Sequence, residues 1–354
     1  MTPLPVGSVI GILGDGQLGR MLAVAAAQLG FDVVVYGQDE DSPARRVASH
    51  SIIAEYNDRD ALAELSVRCD LITLEFENVP VEALQILEDM GATVCPGQQS
   101  LKICQDRHLE KSFAREAGVM TADYYVVNTV DEAISAFEAL GGNGILKTRR
   151  DGYDGHGQRR LGPDDSPVRA FEDLREAPCV FEALVPFAGE MSVIIARRVD
   201  GVMETFEPAE NVHKNGILHI SRAPSRYSEK TKQSAIKAAR KLAEALGHVG
   251  VMACEFFVLE TGEILLNEIA PRVHNSGHWT PEACITGQFE QHIRAIAGWP
   301  LGSTDRLINV EMENLLGDDV LKACGASGPG DMITLYGKRE MRAGRKMGHI
   351  VRRT

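Results

Sequence analysis

Three observations predict an α/β fold. Short apolar strands alternate with helical segments over the first hundred residues, which implies a parallel sheet covered on both faces. A glycine run, Gly14-Asp15-Gly16-Gln17-Leu18-Gly19, follows the first strand directly. Further on, two apolar runs each lead into a carboxylate, Glu255 and Glu268.

The composition sets the frame for these elements. A chain of 354 residues has room for two or three domains and an ample core. Its net charge of −13, from 50 acids against 37 bases, argues against non-specific nucleic-acid binding and favours a soluble enzyme, which can still bind anions if its bases are gathered in one cleft. The seven cysteines are scattered with no C-x-x-C pair, which disfavours a disulfide framework or a zinc site. The opening Met-Thr-Pro-Leu-Pro lacks the basic start of a secretory signal. No apolar run approaches the ~20 residues that span a bilayer. A cytoplasmic protein without membrane contact is expected.

Element by element, Val9 to Leu13 reads as a strand, Arg20 to Leu29 as a helix and Phe31 to Tyr36 as a second strand. Asp70 to Leu74 reads as a third strand, running into Glu75-Phe76-Glu77; if it continues, alternation points both acids the same way. Val81 to Met90 has helical spacing and Ala92 to Cys95 reads as a short strand, which closes a first domain over residues 1–100. Ser100 to Ala117 reads as one helix carrying Arg107 and Lys111. A smaller α/β unit over 101–185 contains the strand Gly144 to Lys147, a loop from Arg149 to Gln158, and a strand Glu182-Ala183-Leu184-Val185 with its acid at the start. A larger unit over 186–300 contains a strand from Gly189, an amphipathic helix from Glu229 to Leu246, and the two acidic strands. The remaining 301–354 form a small C-terminal unit ending in the basic run Lys338 to Arg353.

Three stretches carry chemistry. In Asn267-Glu268-Ile269-Ala270-Pro271-Arg272-Val273-His274-Asn275-Ser276-Gly277-His278, an acid, an arginine and two histidines follow an apolar strand. With Glu255 on a neighbouring strand, Glu268 makes a hard-cation site, and Mg²⁺ shares such ligands with substrate phosphates. Arg272 and the histidines suit an anionic substrate beyond the metal. In the second stretch, Lys147 on a strand precedes the glycine loop Asp151-Gly152-Tyr153-Asp154-Gly155-His156-Gly157. The lysine can neutralise phosphate and the loop can fold over a triphosphate with its amides. The segment from Glu182 to Val185 could offer amides to adenine and a carboxylate to ribose. The third stretch is the N-terminal glycine run. It matches a dinucleotide fingerprint, with Asp39 twenty residues past Gly19, and so keeps a nicotinamide-dependent oxidoreductase open. A sugar phosphate would satisfy the same helix N-terminus.

The ordered set closely resembles the N5-carboxyaminoimidazole ribonucleotide synthetases of the ATP-grasp superfamily. It comprises residues 14–21, Asp106-Arg107, Gly152 to Gln158, Asn211-Val212-His213, Asn267 to Trp279 and Gly344 to His349. The resemblance implies an α/β ATP-grasp fold with an N-terminal Rossmann-like (pre-ATP-grasp) domain and a small C-terminal domain. It implies that ATP, bicarbonate and aminoimidazole ribonucleotide give the N5-carboxylated ribonucleotide, ADP and phosphate, in de novo purine synthesis. By position, Arg107, Lys147, the loop 151–157, Glu182, Ala183, Leu184, Val185, Glu190, His213, Asn267 and Glu268 should contact ATP. Glu255 and Glu268 should hold Mg²⁺, with Mn²⁺ as an alternative ion. Gln17, Leu18, Glu75, Tyr153, Asp154, Arg272, His274, Asn275, Lys338, Arg345 and Lys346 should line the ribonucleotide and bicarbonate side. A homodimer is the assembly implied.

Within this scheme Arg272 and His274 are candidates to hold bicarbonate and its phosphorylated form, and Asp154 to orient the substrate amine. Tyr153, His156 and Lys338 complete the catalytic candidates. His156 stands where relatives often carry arginine, and a neutral imidazole is a weaker anion anchor. The nearest alternative is a formate-dependent glycinamide ribonucleotide transformylase of the same superfamily. The block from Pro271 to Trp279 favours the carboxylating enzyme.

Overall fold

The computed structural model describes residues 2–152 and 156–354. Among these residues the strands form three sheets. The first comprises β1 (Val9–Leu13), β2 (Asp32–Gly37), β3 (His50–Ile53) and β4 (Leu71–Leu74), all parallel in the order β3-β2-β1-β4. Helices α1 (Gln17–Gln28), α2 (Arg59–Arg68) and α3 (Val81–Asp89) cover it. β1, β2 and β4 are continuous apolar runs because a parallel sheet between helices is buried on both faces. The alternating pattern is therefore correctly read, but β3 and α2 escape it. β3 has only four residues, and α2 has a polar sequence capped by Asp58, which accepts from the Asp60 and Ala61 amides. Ala92 to Cys95 contributes only one bridge, Val94 to Ile72, and is not a strand.

The expected helix from Ser100 to Ala117 is two helices, α4 (Gln98–Cys104) and α5 (Arg107–Glu116). Asp106 breaks it by accepting from the His108 and Leu109 amides, an N-cap inside a run of helical spacing. A four-stranded antiparallel sheet follows, in the order β5-β8-β6-β7, from β5 (Tyr124–Val127), β6 (Gly144–Thr148), β7 (Gln158–Leu161) and β8 (Cys179–Glu182). It is backed by α6 (Val130–Ala139) and α7 (Pro167–Asp173). Glu182 ends β8 rather than starting a strand, and residues 183–186 are connecting chain whose first amide, Ala183, bonds the Asp123 carbonyl.

The third sheet is the largest, with nine strands joined in antiparallel pairs. It contains β9 (Phe187–Arg197), β10 (Met203–Thr205), β11 (Ala209–Lys214), β12 (Ile217–Ala223), β13 (Gly250–Leu259), β14 (Ile264–Ala270), β15 (Val310–Leu316), β16 (Met332–Leu335) and β17 (Lys346–Arg353). Helix α8 (Glu229–Ala245) packs on β9 and β13 through Ala235, Ala239 and Leu242. The C-terminal strands β15 to β17 extend the same sheet from β12, so the basic tail is partly a sheet strand. Beyond β14 lie a 3-10 turn (Asn275–Gly277), α9 (Thr280–Ala283), α10 (Gln288–Ile296) and, after β15, α11 (Asp319–Ala326).

One apolar core joins the first and third sheets. Leu22 and Ala26 of α1 belong to the same buried cluster as Phe289 and Ile293 of α10. Small alanines on α1 let the two helices approach. A polar link accompanies this contact: the His292 ring nitrogens bond the Thr73 hydroxyl at 2.8 Å and the Val251 amide at 3.0 Å. The three sheets thus meet around one cleft, into which the end of β4, the start of α5 and the middles of β13 and β14 all lead.

Candidate active site

Glu255 and Glu268 are direct register partners across β13 and β14. Each lies inside its strand, where the sequence placed it at the end. The register shifts beside them, leaving Asn267 as the extra residue of a bulge. A bulge twists the strand and re-aims its side chains, and it brings Asn267 and Glu268 together at this edge. Directly opposed carboxylates repel. Burial first, and Glu268 second, push the Glu255 carboxyl up to about 7. Two carboxylates in this arrangement fit a divalent oxygen-liganded cation. Among the described residues no third histidine, cysteine or acid joins them as a metal group, so substrate oxygens would have to complete the shell.

Cations ring this pair. Arg107, the first residue of α5, lies 3.7 Å from Glu268 and donates to the Gly152 carbonyl at 3.2 Å. Asp106 caps that helix while binding Arg149 at 2.7 Å, which fixes the root of the glycine loop. Lys147 on β6 donates to Glu182 at 2.9 Å. Burial works to raise the Glu182 carboxyl, but Lys147 and then Lys111 hold it down at about 2. On the other side Glu190 of β9 meets His213 of β11 at 2.7 Å. Burial pulls that imidazole down, yet the Glu190 bond and the acids around it raise its pKa above the ordinary value. Arg107, Lys147, Glu182, Glu190, His213 and Glu268 thus form one connected set of charges, with Asn267 next to Glu268 on β14.

The glycine loop begins at Asp151, in the left-handed region at φ 59°. At Gly157 a β-carbon would meet the Thr148 hydroxyl at 2.6 Å, so glycine is required there. Gly152 and His156 flank the centre of the loop; Tyr153, Asp154 and Gly155 lie outside the described residues.

Around the N-terminal glycine run the structure corrects the sequence reading. Because β4 ends at Leu74, Glu75 and Glu77 do not point the same way. Glu75 turns into the glycine run and accepts from the Gly16 amide at 2.7 Å and the Gly19 amide at 2.6 Å. Buried in this way, its carboxyl is raised despite those two bonds. It thus occupies the anion position at the N-terminus of α1, where a dinucleotide pyrophosphate would sit, and a β-carbon on Gly14 would clash with it. The dinucleotide reading fails on this contact. Gln17 and Leu18 remain in the first turn, where amides have no intrahelical acceptor.

Glu77 turns the other way and takes Arg272 in a two-pronged ion pair, with one arm at 2.7 Å. Burial opposes the Glu77 charge, but Arg272 wins and holds its carboxyl at about 2. The third guanidinium nitrogen of Arg272 donates to the Val273 carbonyl. His274 lies 3.6 Å from Glu255 and shares a proton with Ser276 at 2.8 Å. Burial and then Arg272 push it down to about 3, so at neutral pH it is an uncharged imidazole. Next to it, both side-chain polar atoms of Asn275 are buried with no protein partner, which fits a residue awaiting a ligand. Lys338 lies over the Tyr336 ring, Arg345 donates to the Glu340 carbonyl, and Lys346 is near enough to Glu255 to lower its pKa.

Two neighbouring residues, Glu110 and Lys111, receive no role from the sequence. Glu110 accepts from the Ile269 amide at 2.6 Å, its carboxyl pushed up to about 8 by burial and then by Glu268. Lys111 is fully buried against Glu182. In sequence both look like ordinary charges on a helix. The one available signal is that Glu110 and Lys111 fall on the same helix as Arg107, three and four residues on.

Comparison with known proteins agrees with this geometry. A ribonucleotide synthetase preATP-grasp domain profile matches residues 8–105, and an ATP-grasp domain profile matches 112–289. A phosphoribosylaminoimidazole carboxylase C-terminal domain profile matches 311–352. The chain is 50% identical to the N5-carboxyaminoimidazole ribonucleotide synthase of Brucella melitensis biotype 1, over 99% of this chain and 98% of that protein. A solved ADP complex of an N5-carboxyaminoimidazole ribonucleotide synthetase superposes with a TM-score of 0.96 at 42% identity, covering 100% of this chain and 94% of that one. The Aspergillus clavatus synthase in complex with ADP and 5-aminoimidazole ribonucleotide gives a TM-score of 0.92 at 32% identity, covering 99% and 94%.

Proposed function

The chain belongs to the N5-carboxyaminoimidazole ribonucleotide synthases, and from that membership we propose how its residues divide the work. The enzyme is an ATP-grasp ligase of purine biosynthesis. It joins bicarbonate to the amine of 5-aminoimidazole ribonucleotide at the expense of ATP. The observation that carries the assignment of roles is the register pairing of Glu255 with Glu268 beside Arg107 and His213.

ATP lies with its base along Glu182, Ala183, Leu184 and Val185 and its ribose at Glu190. Arg107, Lys147 and the loop 151–157 take its phosphates, and His213 and Asn267 complete the contacts. Glu255 and Glu268 would hold Mg²⁺, or Mn²⁺ in its place, which when bound neutralises phosphate charge as it transfers. Bicarbonate is a poor electrophile until phosphorylated. Carboxyphosphate is labile, so the glycine loop acts as a lid that excludes water. The neutral His274 can accept or donate a hydrogen bond without adding charge. Arg272, held in place by its ion pair with Glu77, is a rigid group at the bicarbonate position. The ribonucleotide phosphate lies between the Gln17 and Leu18 amides and the basic group Lys338, Arg345 and Lys346, with Asn275 reaching the substrate. Glu75 serves the ribonucleotide by holding the glycine run in shape. By motif position, Tyr153, Asp154 and His156 are assigned to the amine and the acyl phosphate. Domains divide at 1–100, 101–185, 186–300 and 301–354, and the enzyme works as a cytoplasmic homodimer.

The test is ADP release by the purified protein with Mg²⁺ and bicarbonate. Stimulation by 5-aminoimidazole ribonucleotide, with labelled bicarbonate entering product, is expected. Stimulation only by glycinamide ribonucleotide with formate would move the assignment to formyl transfer.

A further inference from the structure

Lys111 has no part in the scheme above, yet it is among the largest side chains shut completely inside the molecule. Its ammonium lies 3.3 Å from one Glu182 oxygen, and the Lys147 ammonium lies 2.9 Å from the other. Neighbouring Glu110 directs its carboxylate to the Ile269 amide instead. One buried carboxylate is therefore shared by two buried ammoniums. A buried ion is tolerated when it is paired, and the usual solution is one partner of each sign. Lys147 and Glu182 alone would satisfy that rule as a neutral pair. A neutral pair would offer little attraction to a phosphate. The additional cation leaves these three side chains with one net positive charge between them, in a buried place where a charge is weakly screened.

We propose that Lys111 is a positioning residue for the nucleotide: by sharing Glu182 it keeps the Lys147 ammonium uncompensated and available to a phosphate. This rests on the assignment of Lys147 to the phosphates. Lys111 is 1% exposed and has no surface to present to a ligand, so its action is through Glu182 and Lys147. Burial lowers the Lys147 pKa overall; Glu182 opposes that fall, and Arg107 and Lys111 add to it, so Glu182 is the group that keeps Lys147 charged.

The experiment measures ADP and adenosine binding by titration calorimetry in the presence of Mg²⁺, for the wild type and for Lys111→Met, Lys111→Gln and Lys111→Arg. The two uncharged variants should weaken ADP about tenfold, the scale of one charge acting through a partly screened interior. Adenosine binding should change little, because it has no phosphate, and Lys111→Arg should retain ADP affinity. Parallel loss of ADP and adenosine would show a packing role and overturn the proposal, as would undiminished ADP binding in the uncharged variants. If Lys111→Met does not fold, Lys111→Gln, which keeps most of the side-chain volume and a polar head without the charge, decides the question. Failure of the wild type to bind ADP would instead overturn the nucleotide assignment itself.

Discussion

Glu77 shows how much a single partner changes the reading of an active-site arginine. Arg272 follows an acidic strand and, by sequence, looks like a free anion receptor. In the structure two of its nitrogens are committed to Glu77, from a different sheet. The pair fixes the guanidinium and ties the end of β4 to the turn after β14. Glu77→Gln should therefore leave Arg272 inside with a weaker partner and lower unfolding stability by roughly 1–3 kcal/mol at neutral pH. The pH dependence has a definite sign. The folded carboxyl, at about 2, lies below its ordinary value of 4.5, so its contribution is complete above that value and fades as pH falls toward 2. Urea unfolding at pH 7 and pH 3.5 should show the gap between wild type and variant narrowing at the lower pH. An unchanged gap would mean that shape, not charge, is what Glu77 contributes. Both acids after β4 were visible in the sequence. Their opposite directions were not, because strand alternation was carried past Leu74, where the strand stops.

At the scale of elements, the strand pair β13 and β14 carries the two carboxylates proposed to hold the cation. Apolar periodicity found both strands and both acids, but set each acid at a strand end. Periodicity says where a strand is buried, not which residue of another strand faces it, so neither the Glu255–Glu268 register nor the bulge at Asn267 could be read. The motif resemblance assigns the proposed ATP-contacting positions without either fact. It had no means of reaching Glu110 or Lys111, whose importance comes only from burial on α5. The register has a thermodynamic consequence. The Glu255 carboxyl, at about 7, lies above its ordinary 4.5, so the folded state loses stability as pH rises through that interval. In metal-free buffer at pH 8, Glu255→Gln should therefore be more stable than wild type by roughly 1–3 kcal/mol. Millimolar Mg²⁺ should raise the wild-type melting temperature and leave that of the variant nearly unchanged. An equal metal response in both proteins would remove Glu255 from the cation site.

The molecule as a whole is held together by contacts between segments far apart in the chain. The apolar cluster that joins α1 to α10 is one, and His292 is another, linking the β4 residue Thr73 to the β13 residue Val251. Alternating elements announce the parallel sheet, but packing between sheets leaves no periodic trace, and a lone histidine on an apolar helix face gives no hint of two partners. Burial pushes the His292 pKa down to about 3, so the folded protein excludes a proton that the unfolded chain binds below its ordinary 6.5. His248 and His349, both pushed down to about 4, act in the same direction. Each of these groups lowers stability as pH falls from about 6.5, at a limiting slope of about 1.4 kcal/mol per pH unit. Glu110 and Glu282 oppose them, because their raised carboxyls, at about 8 and about 7, take up protons in the folded state first. The wild-type profile is the sum of these opposing slopes and does not isolate any one of them. A difference between two proteins does. His292→Phe loses its hydrogen bonds at every pH, which shifts the whole curve, but it also removes one proton from the unfolded side. Between pH 6 and pH 4 its unfolding free energy should fall with acid less steeply than the wild type's, by about 1.4 kcal/mol per pH unit. Parallel curves would mean that His292 is protonated in the folded protein, and the neutral link between the two sheets would have to be abandoned.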